Sequence, residues 1–74
     1  MMNSNYMPEI ASASKFIIDH NYDGDLRWFL RNMMEEGNNL THSERWSTVY
    51  DWMQEHYPAA TGSLITGISY WLEK

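Results

Sequence analysis

Leu26-Arg27-Trp28-Phe29-Leu30-Arg31-Asn32-Met33-Met34 is the stretch that decides the fold. Leu26, Phe29, Leu30, Met33 and Met34 stand at i, i+3, i+4, i+7 and i+8, the spacing that places them along one face of an α-helix. Arg27, Trp28 and Arg31 fall outside that stripe. Gly37 predicts the stop, because glycine accepts the left-handed conformation past a helix C-terminus.

Upstream, Pro8 predicts the start of an earlier helix, since its fixed φ and missing N–H suit the first helical position, and Glu9 complements the positive helix end. Its stripe is Ile10, Ala13 and Ile17, flanked by Phe16 and Ile18, and the turn formers from Asn21 to Asp25 end it. Residues 1–7 show no periodicity and read as a loosely held tail before a single helical domain at 8–74. Downstream, Thr41 and Glu44 form a T-x-x-E capping box that opens a third helix. Its face reads Trp46, Val49, Tyr50, Met53, Tyr57, and Pro58 ends it.

The last segment fits two periods. Leu64, Ile65, Ile68, Trp71 and Leu72 suit a helix, while Leu64, Ile68, Tyr70 and Leu72 also suit alternation. Helix is preferred, because no other segment offers a strand partner for its backbone groups. Gly62 and Gly67 weigh against it at about 1 kcal/mol each inside a helix. Gly67→Ala is therefore expected to stabilise the helix if the site has room. The expected fold is all-α: a small four-helix domain of two helix-loop-helix units packed together.

Composition bounds what such a domain does. The chain has 74 residues, 43% of them hydrophobic, and no cysteine, so it holds one small core and has no disulfide, thiolate metal site or cysteine nucleophile. A net charge of −5 has the wrong sign for direct nucleic-acid binding, which needs a basic face. No apolar run exceeds three residues, which argues against a membrane span or signal peptide and for a soluble, cytoplasmic protein.

The stretch Asp19-His20-Asn21-Tyr22-Asp23-Gly24-Asp25-Leu26 matches D-x-[DN]-x-[DN]-G followed by an apolar residue. Shifted by 38 residues, Asp23-Gly24-Asp25-Leu26 aligns with Thr61-Gly62-Ser63-Leu64, again between a helix and an apolar segment. This pattern resembles a degenerate pair of EF-hands, with Gly37 to Thr41 as the linker. The resemblance implies calcium held by Asp19, Asn21, Asp23 and the backbone carbonyl of Asp25, through alternate oxygens wrapped around a hard cation. Leu30 and Ile68 stand where the family has its bidentate glutamate, so any binding in the first loop is expected to be weak, and none is expected in the second. The same residues also read as a plain turn, with Asp23 or Asp25 capping the second helix, or as a metal-free fold that keeps the turn.

Other constellations are weaker. His20, His42 and His56 have no i, i+4 pair, and His42 and His56 are about 21 Å apart along one helix. Neither Ser63 nor Ser69 sits in a catalytic motif. Glu44, Thr48, Asp51 and Glu55 form an acidic edge on the third helix, either a solvated face or a mimic that docks a basic or nucleic-acid-binding protein. Asp23, Arg27, Arg31 and Glu35 are i, i+4 neighbours and read as helix-supporting ion pairs.

Four Trp, five Tyr and two Phe exceed what the apolar stripes absorb, leaving Tyr6, Tyr22, Trp28, Trp52 and Tyr70 over. They either wrap the core edge or form an interaction surface. The expected function is a small acidic, non-enzymatic protein-binding module: an adaptor, regulator or inhibitor of the kind a phage or mobile element encodes. Trp28, Trp52, Tyr22, Tyr70, Glu44, Asp51 and Glu55 are its expected contacts, no cofactor is required, and a homodimer is compatible. A weakly calcium-responsive protein is the alternative.

Overall fold

The computed structural model describes residues 6–73, apart from the side chain of Asn38. Helix α1 spans Met7–Asp19, with Pro8 in its first turn as its fixed φ favours. Tyr6, just ahead of it, stacks on Tyr70 at 4.2 Å between ring centroids. Two residues expected in the tail, Tyr6 and Met7, thus belong to the folded domain, and the rest of that tail lies outside the described residues. Ile10 and Ala13 are buried, while Ile18 stands in solvent.

Helix α2, Gly24–Glu36, buries Leu26, Phe29, Leu30 and Met33 along its expected stripe, whereas Met34, also expected there, is 38% exposed at the edge of that face. Gly37 does not end it by a left-handed turn. It keeps right-handed angles, φ −64° and ψ −15°, and begins a 3-10 turn over Gly37–Asn39. Arg45 stabilises this ending: its Nη2 donates to the Gly37 carbonyl at 2.9 Å, and Gly37 is itself buried. A polar group out of water needs such a partner, and Arg45, only 7% exposed, serves as it.

Helix α3, His42–His56, opens with both halves of the capping box in place: Glu44 N–H donates to Thr41 Oγ1 at 3.1 Å, and Thr41 N–H donates to Glu44 Oε1 at 2.8 Å. Its buried residues are Arg45, Val49 and Met53. The inward face keeps Trp46, Val49, Met53 and Tyr57 of the expected stripe, adds Arg45 and part of Trp52, and leaves Tyr50 40% exposed. Arg45 faces inward toward its partners on the linker.

Helix α4, Gly62–Leu72, settles the ambiguous segment as a helix, and the described residues contain no strand. From Leu64 to Leu72 every residue is buried or half-buried, so this helix has no fully exposed face beyond its first turn. Such a helix loses the one-sided stripe that marks helices in sequence, which is why alternation fitted equally well. α1-turn-α2 and α3-loop-α4 form the two helix-loop-helix units. They join chiefly through α1 lying on α4, with α2 also touching α4, while α3 packs on α4 within the second unit.

The α1–α4 contact is backbone to backbone. A β-carbon at residue 67 would overlap the carbonyl oxygen of Glu9 and lie 2.7 Å from its carbonyl carbon and 3.2 Å from Ala13 Cβ. Gly67 therefore has no room for alanine, and the stabilisation expected from helix propensity is reversed. We expect Gly67→Ala to cost about 2 kcal/mol or more, a fall in Tm of about 10 °C or more. Gly24, whose added β-carbon meets nothing within 4 Å, is the control: Gly24→Ala should leave Tm unchanged or slightly raised. Equal melts for the two variants would contradict the close approach.

Candidate functional site

Residues 20–23 close the turn between α1 and α2 by backbone bonds, His20 N–H to Phe16 at 3.0 Å and Asp23 N–H to the His20 carbonyl at 3.0 Å. Asp23 then caps α2, its Oδ1 accepting from the N–H groups of Asp25 at 3.0 Å and Leu26 at 3.3 Å. Its other oxygen, Oδ2, accepts from the Tyr57 hydroxyl. Asp25, Arg27 and Leu30, the seventh, ninth and twelfth places of an EF-hand loop, all lie within α2, and Leu30 is in the core. Asp19 pairs with Lys15 at 3.1 Å, and Asn21 is exposed.

Among the described residues no three His, Cys, Asp or Glu side chains converge on a possible metal position. Within the motif, Asp23 serves as a helix cap. Its echo behaves alike: Thr61 caps α4, accepting from Leu64 N–H at 3.2 Å, and Gly62 starts the helix as Gly24 starts α2. Cap, glycine and a leucine two residues further on make a repeated helix start.

Around the Asp23–Tyr57 bond runs an aromatic cluster. Trp52 stacks on Phe29 at 4.5 Å and on His56 at 4.0 Å, Phe16 meets Tyr57 edge-on at 5.1 Å, and His20 stacks on Phe16 at 4.2 Å. Trp52, expected on a partner-binding surface with Trp28, is instead partly buried against the core. The core, through Phe29, takes its ring. Tyr70 is likewise occupied by Tyr6 and by His42, whose ring lies at 4.7 Å.

Trp28 stands apart from this packing at 68% exposed, while Tyr22, 80% exposed, touches its edge with its ring stacked 6.4 Å from that of His20. Trp28 lines a shallow depression of about 270 Å³ on the outer face of α2 with Gly24, Arg27 and Arg31. The expected helix-supporting ion pairs are absent: among the described residues, neither Arg27 nor Arg31 has a carboxylate within 4.0 Å. Asp23 caps the helix instead of pairing with Arg27. On α3, Glu44, Asp51 and Glu55 are all exposed, although Glu44 is engaged by its capping box.

Sequence reading missed Arg45, which bonds Gly37 and lies 3.7 Å from Glu73 Oε1, because an arginine inside a helical pattern is ordinarily solvated. It also missed the Asp23–Tyr57 bond, which joins residues 34 apart in the chain. Comparison with protein-family models, curated proteins and solved structures finds no match for this chain.

The Tyr57 bond, ahead of the backbone N–H groups, holds the Asp23 carboxyl below its ordinary value of 3.8, and the capping bonds to Thr41 lower Glu44. Burial, then Asp23, pushes Tyr57 up to about 12. Lowered carboxyl values add stability above the unfolded-state pKa, lost as pH falls through the folded value. A raised tyrosine adds stability below pH 10, lost as pH rises toward about 12. Tyr57→Phe should therefore flatten both limbs of the stability–pH curve and remove the latest phenolate absorbance transition. Unchanged limbs in that variant would show the bond to be energetically silent.

Proposed function

We propose that this protein is a non-enzymatic protein-binding module whose contact face is the outer side of α2, centred on Trp28. One observation carries the reading: a tryptophan 68% exposed beside two arginines without carboxylate partners, in a domain that packs its other three tryptophans against the core. Leaving an indole in water to that extent forgoes about 2 to 4 kcal/mol of burial, a large share of what holds so small a domain together. Tryptophan, tyrosine and arginine are also the residues that concentrate binding energy at protein interfaces. Tyr22, in the turn that leads into α2, extends the same surface type. An adaptor, regulator or inhibitor role fits a chain of this size.

The acidic edge of α3 supports a second reading, docking of a basic partner, through the exposed Asp51 and Glu55. It is the weaker one, because Glu44 already serves the helix start and the edge has no exposed aromatic besides Tyr50. Calcium response has less support, since both Asp23 oxygens accept bonds from the protein.

Trp28→Ala should leave Tm within a few degrees of wild type, whereas Trp52→Ala, which removes a ring stacked on Phe29, should cost about 3 kcal/mol and unfold much of the population. Function is tested by placing a photo-crosslinking residue at position 24, which lines the depression beside Trp28 and has open space around it, in the cells that make the protein. We expect a discrete adduct there and none from exposed position 54 on α3. The same adduct from both positions, or none from position 24, would remove the reading.

A further inference from the structure

We infer that the partner held by α2 presents an acidic segment, with carboxylates beside an apolar or aromatic side chain. Arg27 and Arg31 take the carboxylates, and Trp28 takes the apolar group. This rests on the protein-binding reading above and adds the chemistry of the partner.

The argument begins with charge. The chain has five Lys and Arg against ten Asp and Glu. Among the described residues, Lys15 is paired with Asp19 at 3.1 Å, and Arg45 is buried on the Gly37 carbonyl. That leaves Arg27 and Arg31, one helical turn apart, both exposed and both without an ion-pair partner. Carboxylates were available in sequence at Asp23 and Glu35, four residues away on either side, yet neither lies within 4.0 Å. The only two uncommitted arginines described thus line the same depression as the most exposed tryptophan.

A guanidinium offers a planar fork of donors that matches a carboxylate bidentately, and an indole beside it offers a flat apolar surface. The open floor at Gly24, where nothing lies within 4 Å of an added β-carbon, lets a backbone or side chain approach. Acidic groups elsewhere on the chain repel an acidic segment, so its favourable landing place is this face. A nucleic acid, which also carries anions, would have to bring many phosphates against a surface of net charge −5 with two cations to meet them. A short acidic peptide segment fits within two forks and one ring.

The test pans short random peptides displayed on phage against the full chain and then compares the enriched peptides on the Trp28→Ala protein. We expect enriched peptides in which Asp or Glu adjoins Leu, Phe or Trp, and which shift the Trp28 indole N–H resonance in NMR spectra. Arg27→Gln with Arg31→Gln should weaken a selected peptide about tenfold or more without lowering Tm, and changing the peptide's Glu to Gln should do the same. Neutral or basic consensus sequences, or no enrichment, would overturn the inference. So would oligothymidylate binding with equal strength, or sedimentation showing a dimer that Trp28→Ala dissolves. Trp28-dependent peptides indifferent to both arginines would sink the acidic-segment inference while leaving the protein-binding reading in place. Binding indifferent to Trp28 removes both.

Discussion

α1 and α4 meet backbone to backbone at Gly67, where the Glu9 carbonyl occupies the place a β-carbon would need. The rest of the packing is arranged around that contact. Because α1 comes so close, Ala13 is fully buried against α4, and the small side chain is what the spacing permits. With one flank closed by α1, α4 takes α3 and α2 on its other sides, so Ile65, Ile68 and Leu72 reach the core in different directions. The fourth helix is flanked by the other three, so this small domain gains a central element with no fully exposed face from Leu64 to Leu72.

Two polar ties fix what apolar packing leaves loose. Arg45 draws the α2–α3 linker inward through the Gly37 carbonyl and faces Glu73 just beyond α4, linking two breaks in helical structure. Asp23 and Tyr57 link the α1–α2 turn to the end of α3. Each tie satisfies groups that helix termini leave unpaired, and each sits where chain direction reverses. The aromatic run from Phe29 through Trp52 to His56 covers the same end of α3.

How legible this was depended on how each residue's environment shows in its neighbours. Caps were legible, since Thr41 with Glu44, and the repeated Asp23-Gly24 and Thr61-Gly62 starts, act through residues two or three places away. The α2 stripe was legible because one face is wet and one is dry. α4 resisted because it has no fully exposed face, and the α3 stripe, right at Trp46, Val49, Met53 and Tyr57, took in Tyr50 and passed over Arg45 because an inward arginine does not show as apolar spacing. Gly67 showed only as a helix weakness, since the reason for it, Glu9, lies 58 residues upstream. At the candidate site, Trp28 was singled out correctly as lying outside the core stripe, but sequence placed Trp52 beside it in role. Only tertiary structure separates a tryptophan stacked on Phe29 from one in solvent.

That separation changes what the aromatic content means. Trp46 donates to Thr66 at 3.1 Å, Trp52 stacks between Phe29 and His56, and Trp71 packs against the core, so three of the four tryptophans are accounted for by stability. Trp28 is not, and its helix is well anchored: the inner face of α2 carries four buried side chains, Asp23 caps its start, and Arg45 secures the linker after its end. The backbone that carries this ring and the two arginines is fixed by that anchoring, so less backbone freedom is lost on binding than if they stood on a loop. The packing that leaves Trp28 unused by the fold is thus the same packing that makes it usable as a contact on a fixed backbone.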